Sequence, residues 1–184
     1  MEKVKPVKLT NIKWLNLFER KYSNGIDYFF ASRRSVDRAG TLGEIDAVRI
    51  LPYFEENGKI KVVAIKSYRF PLEDYTLELP AGIKEQGEDA RICAMREVAE
   101  EIGAEVESID EEFGGLSGPG LTDEYIRCYV AKVKLNGVQH LEKEEDIEIK
   151  VIDFDDIPEF CKADNFCLQS KLMLLNFYYK NKKD

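Results

Sequence analysis

The segment of residues 82–104 constrains the fold and the chemistry of this 184-residue chain more than any other stretch. If it forms a helix, Glu97, Glu100 and Glu101 follow the i, i+3, i+4 spacing and share one stripe. Like charges at this spacing destabilise an isolated helix by roughly 0.2–0.5 kcal/mol per pair. Arg96 can pair with Glu100, but it cannot neutralise three acids. The stripe therefore lacks a cation, unless it is simply a solvated acidic face.

The flanks of this helix predict where it begins and ends. Gly82 and Gly87 bracket a loop whose backbone can come close to a bound group. Asp89 is placed as a side-chain N-cap, and Gly103 as a left-handed residue at the C-terminal end. A second stripe is predicted to face the core and contains Ile92, Met95, Val98, Ala99 and Ile102. Small residues beside the carboxylates are expected to let a ligand approach; these are Ala90, Cys93 and Ala94.

The fixed positions of this segment resemble the Nudix box, the signature of hydrolases that cleave nucleoside diphosphates linked to another group. The pattern is Gly82, five residues, Glu88, seven residues, then Arg96-Glu97-Val98-x-Glu100-Glu101-x-Gly103. Ala104 departs from it, since the family usually has a bulkier aliphatic residue there. The resemblance implies an α/β (α+β) fold, an α/β/α sandwich with a mixed sheet. It also implies a divalent metal held by one backbone oxygen and three carboxylates, those of Ala81, Glu97, Glu100 and Glu101.

The composition restricts the classes of partner that the protein is expected to bind and the metal ions that it is expected to use. The net charge of −8 argues against nucleic acid as a partner. No apolar run is long enough to span a membrane and the N-terminus lacks a signal-peptide core, so a cytoplasmic location is expected. His140 is the only histidine, so a metal would need oxygen ligands, which favours Mg²⁺ or Mn²⁺. The cysteines lack CxxC spacing and are expected to be reduced, buried thiols: Cys93, Cys128, Cys161 and Cys167.

The N-terminal residues 7–35 are predicted to form an antiparallel hairpin around Asn24-Gly25, a strong turn signal. Its many aromatic residues, Trp14 among them, exceed what a lone hairpin can bury. They are expected to pack on the main domain, on a ligand or on a second copy, and a homodimer is predicted. The domain boundary is placed between residues 1–46 and residues 47–184.

The remainder of the chain alternates strands with two further helices. Residues 114–120 are predicted to be an irregular loop because of their glycines and proline. Strands are predicted at 47–52, 60–66, 76–81, 125–133 and 147–152. Helices are predicted at 155–160 and at 166–179, the second with one apolar face of Leu168, Leu172, Leu175 and Tyr179.

Residues outside the box resemble the ADP-ribose pyrophosphatase branch of the family. Its signs are the sequence Glu78-Leu79-Pro80-Ala81-Gly82 leading into the box and Pro119, which lies 16 residues beyond Gly103. The resemblance implies substrate contacts by four side chains: phosphate by Arg69, the nucleoside by Glu124, and base stacking and an arginine contact by Phe18 and Arg33. Ordinary structural roles are the alternative for each: a turn proline, a strand-end acid, surface arginines and a core aromatic.

The catalytic base of this branch is a glutamate on the loop before the last sheet strand. Here that loop is residues 142–146, and Lys143 stands at the nearest equivalent position. Glu144 or Glu145 could serve if the loop shifts by one residue, and a solvated acidic loop is the alternative. Glu97 and Glu101 complete the predicted catalytic set.

The predicted activity is Mg²⁺-dependent hydrolysis of ADP-ribose to AMP and ribose 5-phosphate. Two alternatives remain open at this point. The box could act on another nucleotide sugar or on a nucleoside triphosphate. The protein could instead be a regulator that binds ADP-ribose-like ligands without hydrolysing them.

Overall fold

A computed structural model describes residues 7–13, 15–34 and 43–182. The chain forms two compact units. The first takes the residues up to Ala47 together with Gly114–Ile126, and the second takes Val48–Phe113 and Arg127–Asp184. The division at residue 46 that the sequence suggests stays a prediction.

The first unit contains a three-stranded antiparallel sheet in the order β1-β2-β3. Its strands are β1 (Val7–Lys8), β2 (Asn16–Lys21) and β3 (Asp27–Ser32). The predicted hairpin is confirmed, because β2 and β3 are joined through Gly25, whose φ of 83° suits a tight turn. Trp14 lies outside the described residues.

The second sheet has seven strands, with the order β10-β5-β4-β9-β8, while β6 pairs with β5 and β7 pairs with β4. Its strands are β4 (Ala47–Glu56), β5 (Lys59–Arg69), β6 (Asp74–Glu78), β7 (Ala81–Ile83), β8 (Ala104–Leu116), β9 (Tyr125–Leu135) and β10 (Ile147–Asp153). The apolar run in the middle of β5, residues 62–65, is buried and lies between partners on both sides, as predicted for a central strand. The predicted class, a mixed sheet combined with helices, is confirmed.

Helix α1 (Ala90–Ile102) has the ends that the sequence predicts. The Asp89 carboxylate accepts hydrogen bonds from the backbone N–H groups of Arg91 and Ile92, at 2.8 and 3.3 Å. Gly103 ends the helix in the left-handed conformation, with φ of 60°.

The predicted core face of α1 is correct for Val98 and Ile102, which are buried, and wrong for its other three residues. Ile92 is 57% exposed, and Met95 and Ala99 are exposed as well. The buried face also includes residues that were not predicted to face the core, namely Ala90, Cys93, Ala94, Glu97 and Glu101. The expectation that Ala90, Cys93 and Ala94 let a ligand approach is therefore wrong. These small residues form the packed face of the helix, together with the carboxylates of Glu97 and Glu101.

The C-terminal segment contains two helices, as predicted, but the apolar face read from the sequence is not the buried side of the second. A 3₁₀ turn (Phe154–Asp156) leads into α2 (Ile157–Phe160), and α3 spans Leu168–Asn181. Three of the four residues on the apolar face read from the sequence are exposed: Leu168, Leu172 and Tyr179. The buried side of α3 consists of Ser170, Met173, Leu174 and Phe177.

Strand β8 continues through residues 114–116, where an irregular loop was predicted, so the loop is shorter than expected. Within the described ranges, no helix is long and apolar enough to cross a membrane.

Candidate active site

Helix α1 packs against the short strand β7, and this contact places two box glutamates beside the glycine loop. The backbone N–H of Ala81 donates a hydrogen bond of 3.1 Å to Oε2 of Glu101. A Cβ atom added to Gly82 would lie 1.8 Å from Oε1 of Glu97, far too close for two atoms that are not bonded, so the carboxylate would have to move. Only glycine therefore lets the Glu97 carboxylate lie against the backbone at this position.

The two inward carboxylates are buried: Glu97 is 6% exposed and Glu101 is 4% exposed. Burial raises the pKa of Glu97 to about 7, against an ordinary value of 4.5. Burial, followed by the charge of Glu97, raises the pKa of Glu101 well above its ordinary value. Two adjacent acids that resist ionisation for these reasons would be stabilised as anions by a cation.

Arg96 links the other acids of the box. Its Nη1 donates to Oε1 of Glu97 at 2.7 Å and to Oε2 of Glu100 at 2.9 Å, and its Nε donates to Oε1 of Glu88 at 3.0 Å. Glu88 also accepts a hydrogen bond of 2.9 Å from the backbone N–H of Glu85. The hydrogen bond from Arg96 is the main cause that lowers the pKa of Glu88. Glu88 and Arg96 thus form an ion pair, and through this pair Arg96 is held next to Glu97 and Glu100.

The donor set matches a hard divalent cation in its chemistry. Carboxylate oxygens and a backbone carbonyl are the ligands that Mg²⁺ and Mn²⁺ prefer. In the arrangement seen here Arg96 stands between Glu97 and Glu100, and among the described residues no three His, Cys, Asp or Glu side chains are gathered closely enough to hold one ion. Binding of a cation by all three box glutamates would therefore compete with Arg96.

The acidic loop before β10 contributes one residue to this environment. The negative charge of Glu145 acts to raise the pKa of both Glu97 and Glu101, after the larger effect of their burial. Glu145 is half-buried, whereas Lys143 and Glu144 are exposed. Of the two glutamates proposed from the sequence, Glu145 is the more buried, and its charge acts on both buried acids.

Arg69 lies at the end of β5 and is partly exposed. Its Nε donates to Oε1 of Glu78 at 2.5 Å, and this hydrogen bond is the main cause that raises the pKa of Arg69, with a smaller effect from the charge of Glu101. Glu78 is buried and also accepts from the Thr76 hydroxyl at 2.7 Å. The buried carboxylate of Glu78 therefore fixes the position of the Arg69 guanidinium, and the charge of Glu101 also acts on it.

The first unit holds the other predicted substrate residues. Arg33 and Glu124 are brought together, since Nε of Arg33 donates to Oε1 of Glu124 at 2.8 Å. Phe18 is 2% exposed and its ring stacks on that of Phe30 with centroids 5.4 Å apart, which is the core role considered as its alternative. The substrate contacts of these residues stay predictions.

Sequence reasoning missed residues whose roles depend on contacts across the fold. Glu78 was noted only as part of a motif, although its buried carboxylate pairs with Arg69 and also with Arg49 at 3.4 Å. Gln139 was not singled out, although its side chain bonds to the backbone of Glu101 at 2.7 Å. A lone glutamine in a loop carries no sequence signal for such a contact.

Comparison with known proteins identifies the class that this arrangement of glycine loop, acidic helix and sheet defines. The model of the NUDIX domain matches residues 43–171. The chain belongs to the Nudix family.

The relatives of this chain include a protein named as an enzyme activator and proteins named as pyrophosphatases. The chain is 36% identical over 118 residues to a methanol dehydrogenase activator of Bacillus methanolicus, an alignment that covers 63% of this chain and 62% of the relative. It is 30% identical over 112 residues to an ADP-ribose pyrophosphatase of Bacillus subtilis, covering 60% of this chain and 59% of the relative. An ADP-ribose pyrophosphatase of Saccharomyces cerevisiae is 28% identical over 160 residues, covering 82% and 68%. The chain thus spans about three-fifths of the length of the two Bacillus relatives.

Proposed function

We propose that this protein is a divalent-metal-dependent hydrolase of nucleoside diphosphates linked to a sugar, with ADP-ribose as the preferred substrate. The observation that carries the proposal is the pair of buried carboxylates, Glu97 and Glu101, held against Ala81 and Gly82. Buried acids with raised pKa values, one of them lying against a glycine where a Cβ would displace it, are characteristic of a functional site. Water would cleave the diphosphate to give AMP and ribose 5-phosphate.

Mg²⁺ or Mn²⁺ would be held by Glu97, Glu100 and Glu101 together with the backbone oxygen of Ala81. When bound, such a cation neutralises the diphosphate and lowers the pKa of a water molecule. Without a cation, Arg96, which is held by Glu88, keeps Glu97 and Glu100 in place, and the backbone N–H of Ala81 holds Glu101.

Glu145 is proposed as the general base. It accepts a proton from the attacking water while the new oxygen–phosphorus bond forms and the bond from that phosphorus to the bridging oxygen breaks. The preference over Glu144 is supported by burial and by charge: Glu145 is half-buried and acts on both Glu97 and Glu101. Lys143, which stands nearest to the family's position for the base, is exposed and cannot accept a proton while charged.

Two side chains are proposed to recognise the substrate. Arg69 would bind a phosphate, since its planar guanidinium suits phosphate oxygens and Glu78 fixes its orientation. Glu124 would accept hydrogen bonds from ribose hydroxyls or from the adenine amine, and its charge would disfavour an additional phosphate nearby. Two relatives named ADP-ribose pyrophosphatase support this choice of substrate.

A homodimer in the cytoplasm is proposed as the working form. The sheet of the first unit exposes three apolar side chains, Val7, Leu17 and Phe29, which the strand register places on one face. A face of this kind is covered by a partner in many oligomers, and a two-fold dimer is the commonest closed arrangement. All four cysteines are free thiols, in keeping with a reducing compartment.

A second candidate is a regulator that binds an ADP-ribose-like ligand without hydrolysing it. The observation in its favour is the 36% identity to a protein named methanol dehydrogenase activator. The complete set of box residues favours the hydrolase.

Product analysis separates these candidates. ADP-ribose is incubated with the protein and Mg²⁺, and the nucleotides are resolved by chromatography with Glu101→Gln and an EDTA sample as controls. The hydrolase yields AMP with the native protein alone. Tight binding of ADP-ribose by calorimetry, with no AMP formed in Mg²⁺ or Mn²⁺, would instead establish the regulator.

A further inference from the structure

The connection between β9 and β10 is fastened to the C-terminal end of α1 by three hydrogen bonds. The backbone N–H of Gly137 donates to the carbonyl of Gly103 at 2.9 Å, and that of His140 donates to the carbonyl of Glu100 at 2.8 Å. The side-chain amide of Gln139 donates to the carbonyl of Glu101 at 2.7 Å. The last carbonyls of a helix have no donor within the helix, so the connection satisfies groups that would otherwise need water.

Gln139 differs from the other two because its amide has a second acceptor. Nε2 of Gln139 also donates to the carbonyl of Ile147 at 3.3 Å. Ile147 is the first residue of β10, and the acidic loop that contains Glu145 lies in the chain between Gln139 and Ile147. One side chain thus ties the helix that carries Glu97 and Glu101 to the strand that follows the loop.

The loop of residues 142–146 is held by hydrogen bonds within the loop and by one hydrogen bond to β5. Oε2 of Glu145 accepts a hydrogen bond of 2.9 Å from the backbone N–H of Glu142, and the N–H of Glu145 donates to the Glu142 carbonyl at 3.0 Å. The far end is held because the N–H of Tyr68, on β5, donates to the carbonyl of Asp146 at 3.0 Å. At the near end, the described side chain that joins α1 to β10 is that of Gln139.

We propose that Gln139 is a positioning residue, which holds the loop carrying Glu145 in register with the carboxylates of α1. The inference rests on the proposed function, in which Glu145 is the base. A base that moves by about 1 Å can lose as much as a hundredfold in rate, so a bridge of this kind affects turnover without touching substrate. Binding of substrate should be little changed, since Gln139 is not among the proposed substrate contacts.

The test compares Gln139→Ala and Gln139→Glu with Asn136→Ala. Alanine removes both hydrogen bonds, and an ionised glutamate keeps the size of the side chain but cannot donate. Asn136 is a matched control, because it is an amide of the same connection that donates instead to Glu105 at 3.2 Å, on β8. Both Gln139 variants should lower kcat by about ten- to a hundredfold with KM for ADP-ribose within about twofold, and Asn136→Ala should match the native protein.

Two further measurements separate positioning from a general loss of structure. Hydrogen exchange in the metal-free protein should quicken at residues 140–146 in the Gln139 variants and stay unchanged in α1 away from its last turn. In a double-mutant cycle, Gln139→Ala should have little further effect on kcat once Glu145→Gln is present, because both changes disable one step.

The outcomes distinguish this inference from the function on which it rests. If Glu145→Gln lowers kcat while both Gln139 variants turn over normally, or if the two effects multiply, the positioning role is refuted and the hydrolase stands. If Glu145→Gln turns over like the native protein, the assignment of the base fails and the role of Gln139 fails with it.

Discussion

The buried carboxylates of α1 predict how the stability of the metal-free protein depends on pH. Burial raises the pKa of Glu97 from 4.5 to about 7, so the folded state keeps a proton that the unfolded state releases. The folded state therefore binds more protons between these two values, and the free energy of unfolding falls as pH rises through this window. The pKa of Glu101 is raised in the same direction, mainly by burial, and steepens the decline.

The size of the effect follows from Glu97 alone. A rise from 4.5 to about 7, at roughly 1.4 kcal/mol for each pH unit, corresponds to about 3 kcal/mol. That is a large fraction of the roughly 5–15 kcal/mol that stabilises a typical domain. Glu97→Gln removes the titrating group but keeps an oxygen that can accept from Arg96, so the variant should lose less stability at high pH.

Urea unfolding followed by circular dichroism in EDTA, from pH 5 to pH 8, measures this directly. The native protein should lose about 3 kcal/mol or more across that range, and Glu97→Gln should flatten the slope. Glu107→Gln is the control, because Glu107 is an exposed glutamate on β8 whose pKa is lowered by its hydrogen bond from Lys134. Saturating Mg²⁺ should oppose the decline, since metal binding favours ionised carboxylates. A native slope in EDTA that is flat, or that rises with pH, would refute the reasoning.

Three further predictions concern the site and the assembly. Gly82→Ala should lower kcat about a hundredfold or more, because the new Cβ would lie 1.8 Å from Oε1 of Glu97; turnover near the native rate would show that this contact does not matter. Glu145→Gln should lower kcat by about 10²–10⁴ while Glu144→Gln stays near the native rate, and the reverse order would move the base to Glu144. Light scattering at micromolar concentration should give twice the mass of the chain, whereas a monomer would remove the dimer proposed for residues 7–35.

Local features of the fold could be predicted because they depend on residues close in sequence. Gly25 has a φ of 83°, as the turn predicted at Asn24-Gly25 requires. The caps at Asp89 and Gly103 are likewise determined within one helical turn. Each of these features follows from a conformational preference that a few neighbouring residues already specify.

The orientation of the helices could not be predicted in this way. Helical periodicity shows that Ile92 and Glu97 lie on different faces, but not which face meets the sheet. In the structure the acidic stripe overlaps the packed face, because Ala94 and other small residues let the helix approach its neighbours, and Ile92 is left exposed. The bridge made by Gln139 depends on β9 and β10 folding next to α1, which no local pattern records.

The central claim is tested most directly by comparing kcat/KM for ADP-ribose, a UDP-sugar, a GDP-sugar and ATP at one Mg²⁺ concentration, with phosphate released by a coupled phosphatase. A site matched to one ligand can discriminate by several kcal/mol against a poor match. We predict that ADP-ribose ranks first and that its turnover disappears in EDTA and in Glu101→Gln. A panel in which ATP ranks first, or in which no nucleoside diphosphate sugar is hydrolysed in Mg²⁺ or Mn²⁺, would contradict the account.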